Sequence, residues 1–367
     1  MKVEGFELRR VAMPLVSPFR TSFGTQTARD ILLVRAVTDA AEGWGECVTL
    51  PDPVYSPEYT DGAVDVMKRF FIPALAAAGI ADATSIGEVL KPFKAHRMAK
   101  AALETAVLDA ELRAEGRSFA RELGSVHDSV PCGVSVGIME SVPQLLDAVG
   151  GYLDEGYARI KLKIEPGWDI QVVRAVRERF GDVLLQVDAN TAYTLGDARH
   201  LAKLDPFDLL LIEQPLEEED VLGHAELAKV VKTPICLDES ITSAQTAAAA
   251  IRLGATSVIN IKPGRVGGYL EARRIHDLAT AHGIPVWCGG MIESGLGRAA
   301  NLALASLPGF TLPGDVSASG RFYETDITEP FVMRDGRLDV PTGPGLGVTP
   351  VAAILDELTT AVEWVPV

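Results

Sequence analysis

Five ionisable residues close successive apolar runs at an almost constant interval: Lys163 after ARIKL, Asp188 after LLQV, Glu213 after LLLI, Asp238 after ICL and Lys262 after VINI. Their separations are 25, 25, 25 and 24 residues. One strand-plus-helix unit of a (β/α)₈ barrel has about this length, so a chain with this period presents the five side chains at the C-terminal mouth, where barrel enzymes carry their chemistry.

The flanking pattern agrees. Between residues 131 and 315, short apolar runs at 134–138, 160–164, 184–187, 209–212, 235–237, 257–261 and 285–287 alternate with amphipathic segments, and a weaker run lies near Phe310. Apolar strands alternating with helices predict a parallel sheet buried on both faces. Before them, 6–14 and 31–38 have strand character, GWGE at 43–46 punctuates a hairpin-like region, and 98–115 reads as an amphipathic helix. That helix has Leu103, Val107 and Ala110 on its apolar face, with Lys100, Glu104 and Glu111 elsewhere. The expected class is α/β, a (β/α)₈-type TIM barrel with an α+β capping domain. Residues 1–125 form the cap, 126–320 a modified barrel, and 321–367, with the Pro/Gly-rich PTGPGLG, a segment returning to the cap. The 367 residues accommodate a barrel of about 250 plus the smaller unit.

A single Asp or Glu after an apolar strand is ordinarily a helix cap, and a single Lys a solvated loop residue. The recurrence with complementary charge points to chemistry instead. Carboxylates brought together repel unless a cation lies among them. Oxygen ligands without histidine or cysteine favour Mg²⁺ or Mn²⁺ over Zn²⁺. In IKLK, Lys161 and Lys163 are two apart and share a strand face, which in a barrel is the interior. Lys262 lies well round the ring, so two lysines can approach a substrate from opposite sides. Lys161 and the metal supply positive charge that makes Lys163 easier to deprotonate.

Composition narrows the partners. A formal charge of −16 excludes an ordinary nucleic-acid binder, which needs clustered Lys and Arg in excess, and fits a small-molecule substrate. Cys47, Cys132, Cys236 and Cys288 show no metal-binding spacing and are expected to be buried thiols. The first residues lack an apolar leader core, and no uncharged stretch of about 18 residues follows. The expected location is the cytoplasm, with no membrane partner.

With these residues in place, PFRTSFG, GWGEC, CGVSVGI, IKLKIEPGWD, QVDAN, IEQPL, CLDES, NIKPGRVGG and WCGGMIESG together resemble the enolase superfamily, in its muconate-lactonizing subgroup. The resemblance covers essentially the whole chain and is nearest to N-acylamino acid racemases that also act as o-succinylbenzoate synthases, a step of menaquinone biosynthesis. It implies Asp188, Glu213 and Asp238 as ligands of Mg²⁺, with Mn²⁺ or Co²⁺ as substitutes. Lys163 and Lys262 become the acid/base pair and Lys161 an electrostatic aid beside the substrate carboxylate. In the synthase reaction Lys163 would start a syn-dehydration while Lys262 steadies the enolate.

Arg265 matches an arginine of racemase-competent members, and an ordinary surface or helix-start arginine remains the alternative. Phe19 and Phe23 flank a loop that in the family closes over the barrel mouth, though loop aromatics also pack into domain interfaces. Ser135, Met291, Ile292 and Phe322 are candidates for an acyl pocket. Dipeptide epimerases of the subgroup carry DxD where this chain has Asp315, Val316 and Ser317, which disfavours a substrate with a free ammonium group. Family members form homo-oligomers, often octamers. The alternatives are a muconate-type cycloisomerase on the same framework and a non-catalytic, metal-dependent binder of acidic metabolites.

Overall fold

The computed structural model describes residues 1–80 and 82–367. Two sheets dominate it. The first is antiparallel, in the order β13-β1-β2-β3, and joins both ends of the chain. Its strands are β1 (Val3–Thr21), β2 (Gly24–Thr38), β3 (Glu42–Cys47) and β13 (Thr359–Pro366), with Gly5 opposite Pro366 and Thr21 opposite Gly24. The register between β1 and β2 shifts between Pro14 and Phe19, a stretch that contains Pro14 and Pro18. Proline removes a ladder donor, so pairing is interrupted there. A two-stranded ribbon, β4 (Ser129–Pro131) with β12 (Arg337–Asp339), lies apart from both sheets.

GWGE lies within β3. The Arg97–Glu115 helix crosses this strand so closely that a Cβ at Gly43 would collide with the backbone of Ala106 and Ala110, and one at Gly45 with that of Ala102. Close packing, not turning, is what these glycines provide. The helix is correspondingly buried on nearly all sides, and Glu104, read from the pattern as off the apolar face, is only 5% exposed. Its carboxylate accepts the backbone N–H of Leu270 at 3.1 Å, at the start of the Tyr269–Ala281 helix.

The second sheet is parallel and seven-stranded, running β5 (Gly133–Val136), β6 (Arg159–Lys163), β7 (Leu185–Asp188), β8 (Ile212–Glu213), β9 (Ile235–Leu237), β10 (Val258–Ile261) and β11 (Val286–Cys288) in spatial order. Every residue of these strands is buried, as expected for a sheet covered on both faces. Residues near Phe310 form no named strand. Phe310 makes one parallel bridge to Val286, and Gly314 makes one to Cys132. All four cysteines are buried and unpaired. Among the described residues, no single helix is long and apolar enough to cross a membrane.

Candidate active site

Parallel register assembles the site. Lys163, Asp188 and Glu213 end β6, β7 and β8 and lie directly side by side, Lys163 opposite Asp188 and Asp188 opposite Glu213. Asp238 and Lys262 follow β9 and β10 immediately. The five are at most 7% exposed, and Lys161 is 2% exposed. Burial this deep is uncommon for such side chains unless they are paired.

Each ammonium is paired with at least one carboxylate, and Lys161 and Lys163 share Asp188. Lys161 Nζ lies 2.7 Å from Asp315, 3.1 Å from Asp188 and 3.1 Å from Glu213. Lys163 Nζ donates to Asp188 and to the Asn190 side-chain carbonyl, both at 2.6 Å. Lys262 Nζ sits 2.8 Å from Asp238 and donates to the Tyr55 hydroxyl at 3.0 Å. Arg265 is also paired with Asp238, and its guanidinium donates to the carbonyls of Ile241 and Asn260. It is buried, which settles against a solvated arginine.

The two acid/base candidates are electrostatically unlike. Burial pushes Lys163 below the usual lysine range, with Lys161 adding to the effect against the opposing pull of Asp188. Lys262 is equally buried, yet Tyr55 and the carboxylates of Glu239, Glu213 and Asp188 outweigh burial and hold it above that range. Lys161 is raised too, its burial overcome by Asp315, Glu213 and Asp188. Asp188 is held below the carboxylate range despite burial, because Lys163 and Lys161 adjoin it, whereas burial and Asp188 push Glu213 up.

One cavity is lined by Lys161, Lys163 and Lys262 together with Phe19, Ser135, Ile292 and Phe322. Phe19 and Phe322 meet edge to face with centroids 5.9 Å apart. Ile292 is held at φ 59°, a strained conformation for a β-branched residue, and Tyr323 donates its hydroxyl proton to the Ile292 carbonyl at 2.6 Å. Phe23 and Met291 do not line this cavity. Phe23 packs on Tyr55, centroids 5.9 Å apart, and Met291 borders a smaller space with Glu46, Lys262 and Glu293.

Several participants carried no sequence signal of their own. Tyr55 comes from an irregular loop. Asn190 bridges Lys163 to Glu239, and Asn260 donates to Glu213 at 2.7 Å. Arg159 pairs with Asp315 at 2.8 Å, and both Arg159 and Lys161 lie over the Trp287 ring. Alternation could have found Arg159, since RIKLK puts it on the face of Lys161 and Lys163.

A divalent cation is the group this donor set would suit. Asp188, Glu213 and Asp238 are fully buried carboxylate oxygen donors, and beyond its ion pairs with Lys262 and Arg265 neither oxygen of Asp238 has a hydrogen-bond partner. Among the described residues, no three His, Cys, Asp or Glu side chains converge at metal-ligand spacing, because ammonium groups stand between the carboxylates. The donors are therefore right in kind for such a cation.

Residues 144–354 match the family described as Enolase C-terminal domain-like, and residues 5–124 match Mandelate racemase / muconate lactonizing enzyme, N-terminal domain. The chain is 74% identical over 366 residues to an N-succinylamino acid racemase of Amycolatopsis sp, covering 100% of both chains. It is 45% identical to an o-succinylbenzoate synthase of Geobacillus kaustophilus, covering 95% of this chain and 93% of the other. A solved member of the enolase superfamily from Listeria innocua superimposes with a TM-score of 0.96 at 40% identity, covering 100% of this chain and 99% of that one.

Proposed function

Because the chain belongs to the enolase superfamily, in the branch of mandelate racemase and muconate lactonizing enzyme, we propose that it is an N-acylamino acid racemase acting above all on N-succinylamino acids. It works by two-lysine 1,1-proton transfer and carries o-succinylbenzoate synthase activity, a syn-dehydration, on the same site. The observation that carries this reading is that Lys163 and Lys262 line one cavity while each is tied to a different strand-end carboxylate, Asp188 or Asp238. Neutral Lys163 takes the α-proton and becomes an ammonium; Lys262, already an ammonium, gives a proton to the opposite face and becomes neutral. The reverse passage uses the same groups with roles exchanged. Lys161, held cationic by three carboxylates, attracts the substrate carboxylate.

Enzymes of this superfamily depend on a divalent metal. We assign Mg²⁺, with Mn²⁺ or Co²⁺ as substitutes, to Asp188, Glu213 and Asp238. Bound there it would stabilise the negative charge that develops on the substrate carboxylate.

We read the parallel sheet as a (β/α)₈-type barrel whose eighth strand is the irregular segment 310–314, on the strength of its single bridges to Val286 in β11 and to Cys132, the residue just before β5. Residues 1–125 then act as the capping domain, 126–320 as the barrel and 321–367 as the return, which the pairing of β13 with β1 supports. A cytoplasmic homo-oligomer completes the reading. Val362 and Trp364, on the edge strand β13 and about half exposed, are apolar surface that a subunit contact would cover.

Solvent deuterium exchange at the α-carbon of N-succinylamino acids tests the assignment. Metal-dependent exchange that disappears in Lys163→Ala and Lys262→Ala is the expected result. Lactonisation of muconate without exchange would replace the reading by a cycloisomerase. Tight binding with no turnover would leave a metabolite binder.

A further inference from the structure

A second cavity, of about 450 Å³, lies between the loop at 55–58, the start of the Arg97–Glu115 helix and the loops that follow β8 and β9. It shares no lining residue with the cavity that holds the three lysines. Tyr55 and Arg265 stand between the two: both line the second space, and the Tyr55 hydroxyl accepts from Lys262 at 3.0 Å and from Arg265 at 3.3 Å. Glu58, Glu239 and Ser240 are buried at its floor, while Pro57, Ala95 and Glu219 are exposed at its mouth.

Four carboxylates line this cavity, those of Glu58, Glu218, Glu219 and Glu239, and among the described residues none is in an ion pair. The adjacent cations are committed elsewhere, Lys262 and Arg265 both to Asp238. Arg97, near enough to Glu58 to favour its charge, is the one other cation of the lining. Glu239 is 6% exposed; one of its oxygens accepts from the Asn190 side chain at 2.9 Å and the other has no partner. Burial pushes Glu58 up to about 7 and also raises Glu218, to which Glu217 adds. Carboxylates in such excess repel one another, and a buried unpartnered oxygen is costly unless a ligand completes it. The four do not converge at metal-ligand spacing, and no lysine is interposed as at the strand ends. Spread around a space of this size, beside the apolar surfaces of Tyr55, Pro57, Met98 and Val221, they suit an organic cation in place of a metal ion.

We propose that this cavity is a second binding site, for an aliphatic diamine whose one ammonium meets Glu58 and Glu239 at the floor and whose other meets Glu218 and Glu219 toward the mouth. The site goes beyond the racemase reading and does not depend on it. Calorimetric titration of 1,5-diaminopentane into the Mg²⁺-loaded protein at about 0.1 M salt, where attraction beyond about 10 Å is screened, reads the site. Saturable binding of one diamine per chain is expected, with 1,5-pentanediol, of equal length but uncharged, at least about 10-fold weaker. Glu218→Gln/Glu219→Gln should weaken the diamine about 10-fold and leave the diol unchanged. Glu58→Gln, whose amide oxygen can still accept from the Met98 N–H, should weaken the diamine as well.

The comparison of diamine with diol separates charge recognition from folding, since a packing defect weakens both alike. Equal affinity for the two, no saturable binding, or unchanged diamine affinity in the double variant overturns the proposal. N-succinylglycine is then titrated into the diamine-saturated protein. Both ligands should bind together, because the two cavities have no lining residue in common. Mutual displacement would put the diamine among the lysines and refute a second site. If N-succinylglycine does not bind even without diamine, the racemase reading fails, while the diamine-to-diol ratio still decides this one.

Discussion

Two groups of buried carboxylates divide the molecule. At the strand ends, Asp188, Glu213 and Asp238 are neutralised by lysines and an arginine. Elsewhere, Glu46, Glu58 and Glu104 meet mainly backbone amides at helix starts. Glu46 accepts from the amides of Ser294 and Gly297, both at 3.1 Å, Glu58 from Met98 at 2.9 Å, and Glu104 from Leu270 at 3.1 Å. Burial pushes all three of these up to about 7, only partly opposed by the amides. Partial positive charge at a helix start satisfies hydrogen bonds without holding a buried carboxylate down, whereas two adjoining ammonium groups hold Asp188 below its usual range; Glu213, beside Asp188 itself, is pushed up despite Lys161. The first group is gathered at the strand ends of the parallel sheet, and the second ties helix starts to β3, to the loop before Thr60 and to the Arg97–Glu115 helix.

The largest test of that division is Lys163→Ala. Removing the proposed base should cut α-proton exchange about 1,000-fold, the range of general-base catalysis, as read by deuterium incorporation. A variant such as Glu104→Gln should not approach that loss. If it did, the two groups would not be functionally separate.

Metal removal comes next. Chelation should lower exchange by about 100-fold or more and added Mg²⁺ restore it, since charge stabilisation at the developing enolate is lost. The protein should remain folded by circular dichroism, because Lys161, Lys163 and Lys262 already pair with the vacated carboxylates. Unfolding on chelation would show that the lysines do not neutralise the site.

Glu104→Gln turns the comparison into a pH experiment. The wild-type carboxyl titrates at about 7 when folded against an ordinary value of 4.5, so the folded state holds a proton that the unfolded state has lost between those pH values. Wild-type stability therefore falls as pH rises from 4.5 through 7, by about 3 kcal/mol for this group. The variant should match wild type near pH 4 and exceed it by about that amount at pH 8 in denaturant melts. A pH-independent difference would mean that Glu104 is ionised in the fold.

The two groups also differ in how far the sequence reveals them. Asp188, Glu213, Asp238 and the lysines were legible because strand ends recur at a fixed period, and alternation put Lys161 beside Lys163. Glu104 was not, because its partner amide lies 166 residues away and only packing brings them together. Tyr55 sits in a loop without periodicity. The segment near Phe310 gave a weak strand signal for a physical reason, since it makes isolated bridges in place of a ladder. That Phe23 lies outside the cavity lining and packs on Tyr55 is not legible either, because a loop aromatic's neighbours are not encoded locally.

The smallest effect isolates burial from partner chemistry. Asp82 also meets backbone amides at a helix start, accepting from Ser85 N–H at 2.8 Å as the cap of the Ala83–Val89 helix. It is largely solvated, and its carboxyl moves the other way, below its usual range, through Thr84 and Ser85. A depressed folded value means stability that is present above the unfolded value and lost as pH falls through the folded one. Asp82→Ala should cost about 1 kcal/mol at pH 7, the usual worth of such a cap, and progressively less toward pH 3. Urea midpoints at several pH values measure it. Hydrogen bonds at a helix start, led at Asp82 by the Thr84 hydroxyl, then accompany opposite slopes at Asp82 and Glu104, as expected if burial sets the sign; parallel slopes would overturn that assignment.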